Sequence, residues 1–279
     1  MLSRHMDPRP VAVARIGLGI AALINTLELY VVLSGIGAGK LAMPLVAWVP
    51  PVTETAALAF LALGTTAAVA LVLGIGSSLA AAAYSLAACA VLLWEQQAYS
   101  SHQVLVVLLV AYLAFARSDT AWSVVRRPGP RQDVPWWPQL LMMTQLTACY
   151  LFAGLAKIND DFLSGEPLAE WIRWPLPEWV YAPMAVATVL TEVLVLAVGL
   201  WLPRVRLLAV AAGVGLHVSI VTMLTDNTLQ LVTFAVACLA LYPLFLTRPA
   251  LRLGFVPAPE PEAASGVLAE QSRKAVKAT

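Results

Sequence analysis

Long apolar runs separated by short polar breaks set the pattern of this chain. They fall at about Val11 to Leu33, Ala56 to Leu73, Ser77 to Leu93, His102 to Ala116, Trp137 to Ala156, Val180 to Leu202, Leu207 to Leu224 and Leu229 to Phe245. Each is close to the ~17 to 25 residues that cross the hydrocarbon of a bilayer as a helix. The fourth is the shortest, and a Gly-Ile-Gly turn joins the second to the third. The pattern predicts an all-α fold, a polytopic integral membrane helical bundle of about eight transmembrane helices with both termini on one side. The first run follows Arg4 and Arg9 as a secretory signal would, but it is too long, carries Arg15 and Glu28 within it and precedes further spans. An uncleaved first helix is expected there. Residues 1–245 form the expected membrane domain, and residues 246–279, rich in Pro, Glu and Ala, a largely disordered cytoplasmic tail. No internal repeat is evident.

Composition strengthens this picture. Of the 279 residues, 60% are hydrophobic and 12% charged, against roughly 25% charged in a soluble globular domain. A water-soluble fold could not bury so much apolar surface. The formal charge of +1, with no long basic cluster outside the cytoplasmic edges, argues against a nucleic-acid partner and leaves the lipid bilayer as the first partner. Cys89, Cys149 and Cys238 all lie in apolar runs without metal-ligand spacing, so they read as small hydrophobes and no metal is expected.

Lysine and arginine set the orientation. Arg4, Arg9, Arg117, Arg126, Arg127, Arg131, Arg204, Arg206, Arg248, Arg252, Arg273, Lys274 and Lys277 share one side, against Lys40, Lys157 and Arg173 on the other. By the positive-inside rule the first side, with both termini, is cytoplasmic in the cell membrane. The longest outer connection, Lys157 to Trp179, is rich in acids and tryptophans.

Depth follows from helical rise. Counted from Arg206, His217 lies ~16 Å into the membrane, and Glu192, counted back from Pro203, lies at about the same depth on the preceding helix. Ionisable groups at the bilayer centre are costly and usually paired, so a Glu192 to His217 hydrogen bond is expected, either as a structural clasp or as a functional element. Arg15 is expected either to snorkel or to find a partner on another span. At the outer face His102, Glu95, Gln96, Lys157 and Asp226 collect from separate helices.

The segment Gln145-Leu-Thr-Ala-Cys-Tyr-Leu-Phe-Ala-Gly-Leu-Ala-Lys157-Ile-Asn-Asp-Asp-Phe-Leu-Ser-Gly165 resembles the signature of the horizontally transferred transmembrane (HTTM) domain, the membrane module of vitamin K-dependent gamma-carboxylases and many bacterial proteins. The matching positions are Tyr150, Ala153-Gly154, Lys157, Asp160-Asp161, Phe162 and Gly165. The resemblance extends to Ala14-Arg15, His102, Glu192, Arg204-Val-Arg206 and His217. It implies a membrane lyase that uses a reduced quinone of the vitamin K or menaquinol type, with oxygen and carbon dioxide as co-substrates. Lys157 would be the catalytic base that deprotonates the hydroquinone, and His102 would support the oxygenated intermediate. Glu192, His217 and Tyr150 would be supporting buried polar residues. A lysine is a competent base where burial disfavours its ammonium form. The quinone would enter sideways from the lipid, with the site facing the outer side.

Two differences separate this chain from the carboxylases. Ala156 stands where they have a lysine and Phe162 where they have a tryptophan, and nothing here is expected to fold into their large extramembrane substrate domain. A peptide substrate would therefore be short or presented by a partner, unless the substrate is a small molecule. Two other readings remain: a non-catalytic membrane factor for maturation or export of a secreted peptide, and a proton-coupled transporter with Glu192 and His217 as its relay.

Overall fold

The computed structural model describes residues 4–46, 48–125, 133–225 and 228–247, with the side chain of Thr228 excepted. The tail beyond 247, Asp226 and the arginines at 126, 127 and 131 lie outside the described residues. The chain is an all-α membrane bundle, its regular strands being β1 (His5–Met6) and β2 (Val134–Pro135), which form one antiparallel ladder.

Helix α1 (Arg9–Gly37) begins on Pro8 and Pro10, where a missing backbone N–H costs nothing, and its many small and apolar residues make it the central element. Helix α2 (Glu54–Leu73) is capped by the Thr53 side chain, which accepts from the Ala56 N–H. It stops at Gly74, whose φ of 76° is the left-handed conformation that glycine adopts without strain, and Gly76 at φ 53° opens α3 (Ser77–Trp94). The expected Gly-Ile-Gly turn is therefore present. Gly19 lies against Val72 and Gly64 against Thr26, so α1 and α2 approach through glycines, as helices do where no hydrophobic force joins them.

Helix α4 (Ser101–Leu113) has 13 residues, about 20 Å at the helical rise, and ends earlier than the expected Ala116. Among the described residues, seven helices are long and apolar enough to span a membrane, and this short eighth sits inside the bundle with Leu105, Val106, Leu109, Val110 and Leu113 buried. Helix α5 (Trp136–Ala156) leads to Lys157.

The connection after Lys157 is folded. Asn159 caps α6 (Asp160–Ser164) by accepting from the Phe162 N–H at 2.8 Å, and Gly165, at φ 87°, starts α7 (Glu166–Trp171). Gly165 touches the backbone of Tyr181 and Ala182 so closely that no Cβ would fit. Phe162, Leu168 and Ile172 pack on Tyr181, Ala185 and Val189 of α8 (Glu178–Leu190), forming a second apolar core. An antiparallel bridge pairs Ile172 with Leu224, supported by Arg173 N–H to Met223 O at 2.7 Å and Thr225 N–H to Trp171 O at 2.9 Å.

Helix α8 continues into a π-helical segment, Thr191–Leu196, and the span runs on to Trp201. Helix α9 (Arg206–Met223) packs on this π segment and on α10 (Thr228–Leu239), but hardly on α8 itself. Helix α11 (Tyr242–Thr247) completes the last span.

Candidate functional site

Glu192 is the second residue of the π segment. One extra residue in a turn rotates the side chains that follow, and such bulges recur at functional sites. Across from it stands Gly154, where a Cβ would lie 2.5 Å from Val193 Cγ2 and 3.2 Å from Glu192 Cβ. The glycine lets α5 close onto the π segment. Tyr150, Ala153 and Gly154 recur at helical spacing on α5, and Lys157, which caps its C-terminus with helical backbone angles, follows Gly154 onto the same face. Its ammonium donates to both oxygens of Glu192, at 2.7 and 2.5 Å. The Lys157 side chain is 28% exposed and that of Glu192 7%. The Lys157 Nζ also lies 6.0 Å from the centre of the Phe162 ring, at the edge of cation–π range.

This geometry corrects two expectations. Glu192 does not bond His217, because a buried carboxylate gains more from an ammonium than from a neutral imidazole, and the π turn presents it to Lys157. Lys157 and Glu192 also share one level, so the different depths expected for them, outer boundary and bilayer centre, do not both hold. The α6–α7 segment packs alongside α8.

His217 belongs to a different cluster. Tyr150 Oη lies 2.8 Å from His217 Nε2 and 2.9 Å from Tyr242 Oη, all three residues being buried. Gly213 touches the Tyr242 hydroxyl and makes room for it. The His217 Nδ1 has no hydrogen-bond partner among the described residues, and the ring meets Phe234 edge-on at 5.3 Å.

His102 is held elsewhere. Its Nε2 lies 2.8 Å from Glu28 Oε2 and its Nδ1 2.8 Å from Ser100 Oγ, while Thr233 donates a short hydrogen bond to the other Glu28 oxygen. The structure therefore does not bring His102 to Lys157. Glu28, which the sequence marks as an ionisable residue inside the first run, is the carboxylate at the centre of this cluster. Arg15 instead is wholly buried and donates to the backbone carbonyls of Ser118, Ala121 and Trp122, in the loop after α4 rather than on another span. Of the remaining outer group, Glu95 accepts from Met43 N and Gln97 N and staples the α1–α2 connection to the end of α3. Gln96 contributes a side-chain hydrogen bond to Pro44 O at 3.3 Å.

The Lys157–Glu192 pair borders a cavity of about 420 Å³. Its walls come from the end of α5, from α8 and the π segment, from α9 and α10, and from α7, with Phe162, Trp171, Met184, Leu216 and Phe234 among the apolar lining. His102 and His217 are not lining residues, although Phe234, in contact with His217, is. Among the described residues, no three His, Cys, Asp or Glu side chains are placed to hold a metal ion. Phe234, Thr233 and Tyr242 escaped the sequence reading, since an aromatic or a threonine within an apolar run carries no signal of its own.

A membrane bundle with a buried ion pair on an apolar cavity defines the class of protein. The chain belongs to the HTTM domain family, whose model matches residues 3–249. This domain is the membrane module of vitamin K-dependent carboxylase-like proteins. No curated protein and no solved structure matches the chain at a significant level.

Proposed function

We propose that the protein is a membrane enzyme of the carboxylase-like type that binds a reduced quinone in the cavity beside Lys157. The observation that carries this reading is the Lys157–Glu192 pair, at 2.5 and 2.7 Å, set against about 420 Å³ of largely apolar space. The residues fit such a group. The volume lies within the ~300 to 1,000 Å³ typical of small-molecule sites, Phe162, Trp171 and Phe234 offer ring contacts, and the pair offers one polar focus for a hydroxyl.

When bound, a reduced quinone supplies the redox chemistry, its reaction with oxygen giving a base able to take a proton from carbon so that carbon dioxide can add. The chain's own residues prepare that step. An ammonium cannot accept a proton, but the pair can: Glu192 would take one from Lys157, and the free amine would then take one from a hydroxyl held beside it. The balance would be a neutral Glu192 and a cationic Lys157, whose ammonium would stabilise negative charge at that position. The α6–α7 cap and the Ile172–Leu224 bridge exclude water. His102 acts from a distance by holding Glu28, whose Thr233 partner immediately precedes the cavity residue Phe234. Quinol-dependent oxygen uptake by the protein in lipid nanodiscs tests the reading: uptake that depends on Lys157 supports it, and equal uptake by Lys157→Ala refutes it.

A further inference from the structure

The cavity is open along its lining on α8 and α9. Of its lining residues, those exposed are Trp171 in the cap, Ala187 on α8 and Ser219 on α9. The latter two lie in helices long and apolar enough to span a membrane, at the border of the cavity. The reason is the packing of the two spans. The π segment holds α9 near the inner end, where Gly199 would place a Cβ 3.3 Å from Ala209, while the outer half of α8 packs on α6 and α7 and leaves α9 to α10. Direct contact between α8 and α9 is sparse, and the cavity wall between them is made of Met184, Ala187 and Thr188 on α8 and of Leu216, Ser219 and Met223 on α9. Both rim positions carry small side chains, and α9 is the least buried of the spanning helices, with 17% of its window buried.

We propose that this slot, rimmed by Ala187 and Ser219, is a lateral gate through which a long-tailed membrane amphiphile delivers its polar head to Lys157 and Glu192 while its tail stays between the helices and the lipid. The occupant follows from the chemistry of the two ends. The inner end offers one ion pair that suits a hydroxylated head, and the slot offers apolar or back-bonded surface, the Thr188 hydroxyl donating to Met184 O. The gate rests on the quinone reading for the identity of the head, but not for the route.

Ala187→Trp and Ser219→Trp put a large apolar side chain on a lipid-facing surface, where the fold tolerates it, and narrow the slot. Binding is followed in nanodiscs by quenching of tryptophan fluorescence with two probes, menaquinone with its isoprenoid tail and tail-less menadione. The gate predicts association of menaquinone slowed about tenfold or more and of menadione less than about twofold. Equal slowing of both, or of neither, overturns it. A second arm does not need a quinone: the new tryptophan of Ser219→Trp, measured against wild type, is quenched by tail-brominated phospholipid and not by acrylamide. Failure of the lipid to quench overturns the gate whatever the quinones do. Lipid quenching without binding of either quinone by wild type sinks the quinone reading and leaves the gate to another tailed amphiphile.

Discussion

Replacing Gly154 by alanine tests whether close approach of α5 to the π segment is what makes the site. The added Cβ would meet Val193 Cγ2 at 2.5 Å, well inside the ~3.5 to 4.0 Å of an ordinary carbon contact, so the helices must part by about 1 Å. Overpacking of this kind costs ~1 to 3 kcal/mol, and the gain in helix propensity returns about 1 kcal/mol. The parting also stretches the Lys157–Glu192 contacts from 2.5 and 2.7 Å beyond hydrogen-bond range, which at an effective dielectric of about 20 forfeits ~2 kcal/mol of attraction. The sum is a destabilisation of ~2 to 4 kcal/mol. Thermal unfolding in detergent measures it, and amine labelling of Lys157 followed by mass spectrometry reports whether the pair has opened. Gly215→Ala is the control, because a Cβ there meets nothing within 4 Å. Gly154→Ala should unfold several degrees below wild type with Lys157 labelled faster, and Gly215→Ala should do neither. If the two variants behave alike, the close approach is not what positions the pair.

Other consequences follow from the buried polar clusters. Replacing His102 or Glu28 singly by alanine should each destabilise by ~3 to 5 kcal/mol, and the double variant by distinctly less than the sum; additive losses in denaturation would contradict the pairing. Free thiols should react with a membrane-permeable maleimide in the order Cys89, Cys149, Cys238, following exposed, intermediate and buried positions, and early modification of Cys238 would contradict the packing of α10.

What the sequence showed and what it hid divide along physical lines. Spans were readable because hydropathy tracks the bilayer, so α2, α3 and α5 fall within two residues of their expected bounds. Lys157, Glu192, Tyr150, His217 and His102 were each recognisable, since an ionisable or hydroxylated side chain in an apolar run stands out. Their pairings were not. The Glu192–His217 bond was expected from equal depth alone, and helical rise cannot foresee a π turn that re-aims a side chain. Thr233 and Tyr242 complete the His102 and His217 clusters, yet nothing in their local sequence marks them. Arg15 escaped for another reason: its acceptors are backbone carbonyls, which every residue carries.

In the proposed reaction Lys157, with Glu192, activates a membrane-borne hydroquinone. The direct measurement is mass-spectrometric detection of quinone epoxide formed under oxygen by the purified protein in lipid nanodiscs, with naphthoquinols and benzoquinols supplied in turn and Lys157→Ala and His102→Ala alongside. Epoxide from the wild type that vanishes in Lys157→Ala and persists at a reduced rate in His102→Ala is the predicted result. No epoxide from any quinol, or the same yield from Lys157→Ala, would contradict the account.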